Sequence, residues 1–534
     1  MVSATSMPTD PRAPRRGWRF VRAAAAMLVV ALAMHAAFAI YLGTRPVVVG
    51  VDAVQRYRDS LPKPAKAEDA AWPAYREALI AMGHEQGSLR DQAVRDALGR
   101  LPGDEQWGVL STWLEANQPA IAAARAASKR PVCAFPVAGS RSAADEAFFN
   151  GPSAPVPKPV DWRDRGQLPM LALTLPQLSC ARSLGRVLAA DMFRAIEQGD
   201  GERATQDLEA IMALSIHVAE GRILIGDLVA MAIRRVATAS VTAAMEWKPQ
   251  AFTDEQLRRM QVSLRSVPAA LECIDLTTER LMFEDAVQRF YSDNGQGDGW
   301  FVPTWQQMGI IQSVAGVSAL KGQSGAQILP ALAFVALLRP IGSTVVAGRR
   351  ATLEHYDAFT RELEAACAGS PREVLAKITP IDARQEMQHS DATQRARWFM
   401  ESLLLPALGK AVLNAAVDRA SREAACAAIA AELFHRTHAR WPASAADLAA
   451  FNGGRAPADP WAEGPIRMAV DNDGFRMWSV GRDGKDDGGV VPASDQPGDA
   501  RALSSTQPNE PAEHGLTVDW VWFAPRGNLG RWRF

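Results

Sequence analysis

Hydrophobic and polar positions along the 534 residues fall mostly at the three- and four-residue spacing of helices, after one long apolar run near the start. Arg12, Arg15, Arg16, Arg19 and Arg22 make residues 1–22 a basic tail. The charges then stop. Residues 23–42, opening on Ala23 and closing on Leu42, carry no formal charge, and about 20 apolar residues are what a helix needs to cross a bilayer. Arginines before the span and a near-neutral sequence after it place the N-terminus in the cytoplasm and everything beyond Gly43 outside the inner membrane, as a single-pass protein with a periplasmic bulk. A competing reading is a secretory signal peptide, because Ala37-Phe38-Ala39 fits an A-x-A site and cleavage near Ala39 would release the chain. The run exceeds the roughly 7–15 apolar residues of a signal-peptide core, which favours the uncleaved anchor.

Beyond the span, Trp72, Tyr75, Leu79 and Met82 share one helical face, and Trp107, Leu110 and Trp113 share another. The periodicity lapses between 135 and 169, where residues 151–159 form a Gly/Pro-rich loop, and helices resume near Leu171. A helix ending at Gly199-Asp200-Gly201 and a second bearing Ala204, Leu208, Ile211 and Leu214 on one face resemble a single tetratricopeptide unit. His217 on that face reads as a core histidine. Thr253 and Gln256 have the spacing of a capping box ahead of Leu257, Met260 and Leu264, and Pro268 ends that helix. Residues 328–348 are apolar, but Arg339-Pro340 at their centre argues for a buried helix ending near Leu338 and against a second span. From Lys410 to about His435 an alanine-rich helix presents a thin stripe of Val417, Ala420, Ala424, Ala427 and Ala431. The expected fold is mainly α: a membrane-anchored helical bundle or α-solenoid-like domain over 43–405, then a small α+β domain over 406–534 with an antiparallel sheet and a polar insertion at 492–515.

In that last region the period changes from 3.6 to 2. Behind Trp441-Pro442, a short capped helix through Asp447 and Leu448, and Ala458-Asp459-Pro460-Trp461, two alternating runs flank Asp473-Gly474, a strong hairpin signal. The second run leads into Gly481-Arg482-Asp483-Gly484-Lys485-Asp486-Asp487-Gly488-Gly489. This order resembles the globular head of the major pseudopilin of type II secretion systems, with its helix, aromatic-proline turn, D-P-W segment, small sheet and calcium-binding loop. The resemblance covers about a quarter of the chain. It implies a structural Ca2+ held by Asp483 and Asp487, with Asp486 in the same turn, backbone oxygens near Ser479 and Gly481, and Asp519 closing the site from the final strand. Six to eight oxygen ligands are what calcium takes, and a glycine-rich turn can wrap them around one ion. The plain alternative is a solvated acidic turn. No processing site of the G-F-T-L-x-E kind precedes Ala23. The whole layout also looks like that of large bacterial envelope proteins with a helical, tetratricopeptide-like middle.

Composition narrows the function classes. A net charge of -1 argues against a nucleic-acid partner, which needs a clustered basic surface. The five cysteines are widely spaced, without C-x-x-C, and Cys133 with Cys180 is the pair to test for a bridge. The loop 293–299 is rich in Asp and Gly but lacks the downstream acidic residue of an EF-hand, so it reads as a surface loop. Glu432, His435 and His438 lie three apart on the last turn of the alanine-rich helix. The chain lacks G-x-S-x-G, H-E-x-x-H and the phosphate-cradling G-x-x-x-x-G-K. The reading that follows is a non-enzymatic structural or interaction protein of the envelope with a calcium-stabilised tail and an envelope protein as partner. The competing one is a metal-dependent envelope hydrolase using Glu432, His435 and His438.

Overall fold

A computed structural model describes residues 14–137, 141–153, 161–304, 307, 339–404, 408–472, 474–489 and 519–525. The polar insertion at 492–515 and the apolar residues 328–338 lie outside the described residues. The first helix, α1 (Pro14–Gly43), has a mean hydropathy of 2.2 over its apolar stretch, none of which is buried. Met27, Leu28, Val29, Val30 and Leu32 are each more than half exposed. An apolar helix whose long stretch is left unburied matches a lipid environment or a signal sequence, and it is long enough to cross a membrane. Its lower end docks on the body: Leu42 is buried, and Phe38 meets Trp300 edge to face at 5.6 Å.

The body is mostly helical. Helix α2 (Ala53–Ser60) is capped by Asp52, and α3 (Ala71–Ala81) buries the predicted Trp72, Tyr75 and Leu79. A two-residue hairpin of β1 (His84–Glu85) and β2 (Ser88–Leu89) leads to α4 (Gln92–Ala97), α5 (Trp107–Ala116), α6 (Gln118–Ser128) and α7 (Ala143–Asn150). Three long helices form the centre: α8 (Pro176–Glu197), α9 (Gly201–Ala219) and α10 (Leu224–Trp247), each packed on the other two. The predicted face of α9 is fully buried at Ala204, Leu208, Ile211 and Leu214. Asp200 caps α9 by accepting from the Arg203 N–H at 3.0 Å. Gly201 is needed there because a Cβ would collide with the Ala251 carbonyl oxygen. His217 is the core histidine expected: Nε2 donates to the Arg130 carbonyl at 2.9 Å, leaving Nδ1 to accept from the Tyr75 hydroxyl at 3.0 Å. Although α10 is long and apolar enough for a span, 67% of its apolar stretch is buried, the mark of a core helix.

Next come α11 (Asp254–Leu264), with the Thr253–Gln256 capping box in place, and α12 (Thr277–Phe290). Helix α13 (Arg339–Val345) contains Pro340, so the chain is helical beyond the position at which a helix was expected to end. Then follow α14 (Arg349–Ala366), α15 (Pro371–Ser390), α16 (Ala392–Arg397), α17 (Phe399–Leu404) and the 31-residue α18 (Leu408–His438). The thin stripe expected on α18 is instead burial on nearly all sides: residues 424–431 are at most 6% exposed. Helices α10, α11, α14 and α15, together with the C-terminal sheet, surround it, and small side chains let so many neighbours approach.

The hairpin forms as predicted. β3 (Arg467–Asp471) pairs antiparallel with β4 (Gly474–Ser479), with Asp471 opposite Gly474, and β5 (Trp520–Phe523) lies on the other side of β4. Trp441, from the tryptophan-proline turn, stacks on Phe475 of β4 at 4.9 Å. The sheet's inner residues Phe475, Met477, Trp522 and Phe523 belong to the same apolar cluster as α8, α9 and α10. Ala524 N–H donates to Glu246 of α10 at 2.8 Å, tying the last strand to the body.

Candidate functional site

The acidic loop is organised by a residue outside it. Asp459, of the D-P-W segment, has a fully buried side chain, and both its oxygens are committed. Oδ1 accepts from the Trp461 and Ala462 N–H groups at 2.9 and 3.2 Å and from the Ser479 hydroxyl at 2.5 Å. Oδ2 accepts from Val480 N–H at 3.1 Å and Arg467 Nη1 at 2.7 Å. A carboxylate desolvated this completely is stable only when every lone pair finds a donor, and here they do. One side chain thus joins the D-P-W turn, the end of β4 and the start of the loop.

From there the loop curls back over Trp478. Gly489 lies against the indole, where a Cβ would enter the ring, and its φ of +64° is open to glycine. Asp486 accepts from Trp478 Nε1 at 3.0 Å, Gly488 N–H at 3.1 Å and Arg467 Nε at 2.8 Å. Partial burial opposes its ionisation, but these donors hold its carboxyl below the usual range. Arg467 therefore bridges Asp459 and Asp486.

The other predicted ligands fall into two groups. The hydroxyl of Ser479 is committed to Asp459, and the Gly481 carbonyl accepts from Gly484 N–H at 3.3 Å. Asp483 is exposed and accepts from Lys485 N–H at 3.2 Å in a local turn, and Asp487 is exposed. Asp519 is brought to the loop: it is 6% exposed, and Oδ2 accepts from Gly489 N–H at 2.7 Å. Its Oδ1 is buried without a hydrogen-bond partner among the described residues. Burial raises its carboxyl pKa, the Gly489 and Asp487 N–H groups partly offset this, and the nearby charges of Asp486 and Asp487 raise it further. Asp486, Asp487 and Asp519 thus share one electrostatic neighbourhood. Even so, among the described residues no group of three or more His, Cys, Asp or Glu side chains is arranged to hold a metal ion.

The residues of the alternative site have other partners. Glu432 pairs with Arg436 at 2.8 Å, His435 stacks on Trp441 at 4.1 Å, and His438 stacks on Phe434 at 4.2 Å while hydrogen-bonding the Phe434 carbonyl. In the loop 293–299, Asp293 pairs with Arg349 at 2.5 Å and Asp298 accepts from Arg350 N–H at 3.2 Å, so its carboxylates serve the start of α14. A cavity of about 330 Å³ opens beside α9 and α2, lined by Tyr57, Phe135, Leu178, His217 and Glu220 among others. Burial pushes the Glu220 carboxyl up to about 7, against the Cys133 N–H that donates to it at 2.8 Å.

The residue that sequence reasoning missed is Asp459. The D-P-W signal was visible, but only the fold shows that its carboxylate meets Arg467 at the start of β3 and Ser479 and Val480 at the end of β4. Comparisons with protein-family models, with curated proteins and with solved structures each return no match.

Proposed function

We propose that this is a membrane-anchored structural or interaction protein whose helical body and C-terminal sheet lie outside the cytoplasmic membrane, the sheet region being stabilised by a bound calcium ion. The observation that carries the cation is Asp519. Its carboxylate is buried, lies near two further aspartates and has one oxygen without a hydrogen-bond partner among the described residues, and a divalent cation is what would compensate that charge. The fit is to a smaller ligand set than the resemblance implies. Asp519 and Asp487 would hold the ion, with Asp483 within the same turn, whereas Asp486 and the Ser479 hydroxyl already serve Arg467, Trp478 and Asp459. The ion would supply charge compensation and order the loop.

The anchor rests on the unburied apolar stretch of α1, followed by a body that docks on its lower end through Trp300 and Leu42. A helical surface held at a fixed place next to the bilayer suits binding of another envelope protein. Because α18 is enclosed by α10, α11, α14 and α15, the sheet region is tested in the full chain and not as a fragment.

The test is calorimetric. Without calcium, a carboxyl whose folded pKa is raised contributes stability that is fully present below its unfolded pKa of about 3.9 and is lost as pH rises through the folded value. Calcium binds the ionised form, so its stabilising effect grows as pH rises. The detergent-solubilised full chain should melt higher with calcium than with chelator at pH 8, the ion adding about 2.7 kcal/mol of stability at a hundredfold excess over Kd, and should show little difference at pH 4. Asp519→Asn should lose the calcium increment while folding at least as stably in chelator. A melting temperature at pH 8 that ignores calcium would remove the ion from this account.

A further inference from the structure

We infer that the cavity between α2 and the turn joining α9 to α10 binds a small amphipathic cation, a primary ammonium on an apolar body, with Glu220 and Gln177 as its polar contacts. At about 330 Å³ the cavity has the size of a small-molecule site. Its apolar walls come from four segments: Leu61 after α2, Phe135 and Val137 between α6 and α7, Leu178 at the start of α8, and Ile223 just before α10. The Tyr57 hydroxyl donates to the Gly221 carbonyl at 2.8 Å, which fixes α2 against the turn.

Two polar side chains in this lining lack partners. Gln177, in the first turn of α8, is 2% exposed, yet its Oε1 has no hydrogen-bond partner among the described residues. Glu220 stands at the C-terminal end of α9, and Oε2 accepts from Cys133 N–H at 2.8 Å. Oε1 has no protein donor and the carboxylate no ion pair among the described residues. Cys133 does not bridge to Cys180, the pair singled out from sequence: both are free thiols, and Cys180 donates to the Gly87 carbonyl at 3.4 Å. His217 offers nothing further, since both its ring nitrogens are spent on Arg130 and Tyr75. At the rim, Lys63 pairs with Asp59 at 3.2 Å and Arg58 makes a contact of its own.

Both open atoms are acceptors and one belongs to an acid, so the complementary group is a donor that carries positive charge. An ammonium has three donors and can serve both. The negative end of the α9 macrodipole favours the same sign, and the Phe135 ring and aliphatic walls receive the apolar body. Burial holds the His217 ring below its ordinary pKa and Tyr57, Tyr75 and the Cys133 thiol above theirs, while Arg58, Lys63 and Asp59 keep their charges. Within the lining, Glu220 is therefore the group whose charge changes between pH 6 and 8. Asp227 of α10 and Glu279 of α12 are pushed up by burial to about 8 and about 7, but they lie outside the lining. With the Glu220 carboxyl at about 7, its ionised fraction, and with it the affinity for a cation, rises about tenfold from pH 6 to pH 8.

The test titrates phenethylammonium into the full chain in detergent by calorimetry, subtracting the same injections into matched detergent. The expected result is one saturable site, about tenfold tighter at pH 8 than at pH 6, with phenethyl alcohol, the neutral analogue, about tenfold weaker than the ammonium at pH 8. Glu220→Gln keeps an oxygen for the Cys133 N–H and should lose both the pH dependence and the preference for the ammonium, which also separates Glu220 from Asp227 and Glu279. Gln177→Leu should weaken binding and keep the pH dependence. If Glu220→Gln fails to fold, the pH dependence and the ammonium preference of the unsubstituted chain decide alone. Absence of a saturable site, equal affinity for the ammonium and the alcohol at pH 8, or a pH dependence that survives Glu220→Gln overturns the inference.

Discussion

Replacing Asp459 with alanine is expected to unfold the C-terminal sheet region, at a cost of about 3–5 kcal/mol. The carboxylate is buried and accepts from Trp461, Ser479, Val480 and Arg467, so its removal leaves the Val480 N–H and the Ser479 hydroxyl buried without an acceptor. Each such orphaned group costs about 1–3 kcal/mol. Arg467 keeps Asp486 as a partner, which limits the loss on the charged side. Asparagine in place of Asp459 should recover only part, because its amide NH2 would face N–H donors where an oxygen now stands. Chemical denaturation followed by tryptophan fluorescence measures the change, since Trp441, Trp461, Trp478 and Trp522 all lie in or beside this region. The expected accompaniment is proteolytic cutting within the loop 481–489, and a variant that keeps parental stability would show that the Asp459 contacts do not hold the sheet.

Asp418→Ala is expected to cost a comparable amount, in the body instead of the tail. Asp418, on α18, receives Arg234 of α10 at 2.8 Å and Arg422 at 3.4 Å, and all three side chains are at most 6% exposed. Taking away the shared anion leaves two cations where water cannot reach them, a change of about 3–5 kcal/mol. Removing charge from both sides, with Arg234→Met together with Asp418→Leu, should cost clearly less, because no lone ion is stranded on that arm and Arg422 retains Glu272. Urea unfolding monitored by circular dichroism gives the ordering: the single variant below the double, and the double below the parent. A single variant as stable as the double would mean that the ionic junction between α10 and α18 carries no weight.

How much of this was legible in the sequence follows from the range of each interaction. The face of α9, the Thr253–Gln256 box and the pairing of β3 with β4 depend on residues a few positions apart, and each is found where the pattern placed it, while Asp473 of the expected turn lies outside the described residues. The arrival of Asp519 at the loop is long-range and was implied by resemblance alone; the structure puts its carboxylate on Gly489 N–H. Contacts between distant segments left no local trace. The enclosure of α18 hides behind alanine, which serves a one-sided stripe and a fully surrounded helix equally well. Charge rich in a turn also says little about what the charge does: in 293–299 the carboxylates serve Arg349 and the start of α14, and in 481–489 Asp486 serves Trp478 and Arg467.

The proposed function requires the helical body and the sheet to lie outside the cytoplasmic membrane. The full chain, tagged at both ends and produced in bacterial cells, should be converted to spheroplasts and exposed to added protease. The prediction is loss of the C-terminal tag, with a membrane-bound fragment of anchor size keeping the N-terminal tag. A C-terminal tag protected until the cells are lysed, or a soluble chain beginning after Ala39, would contradict it.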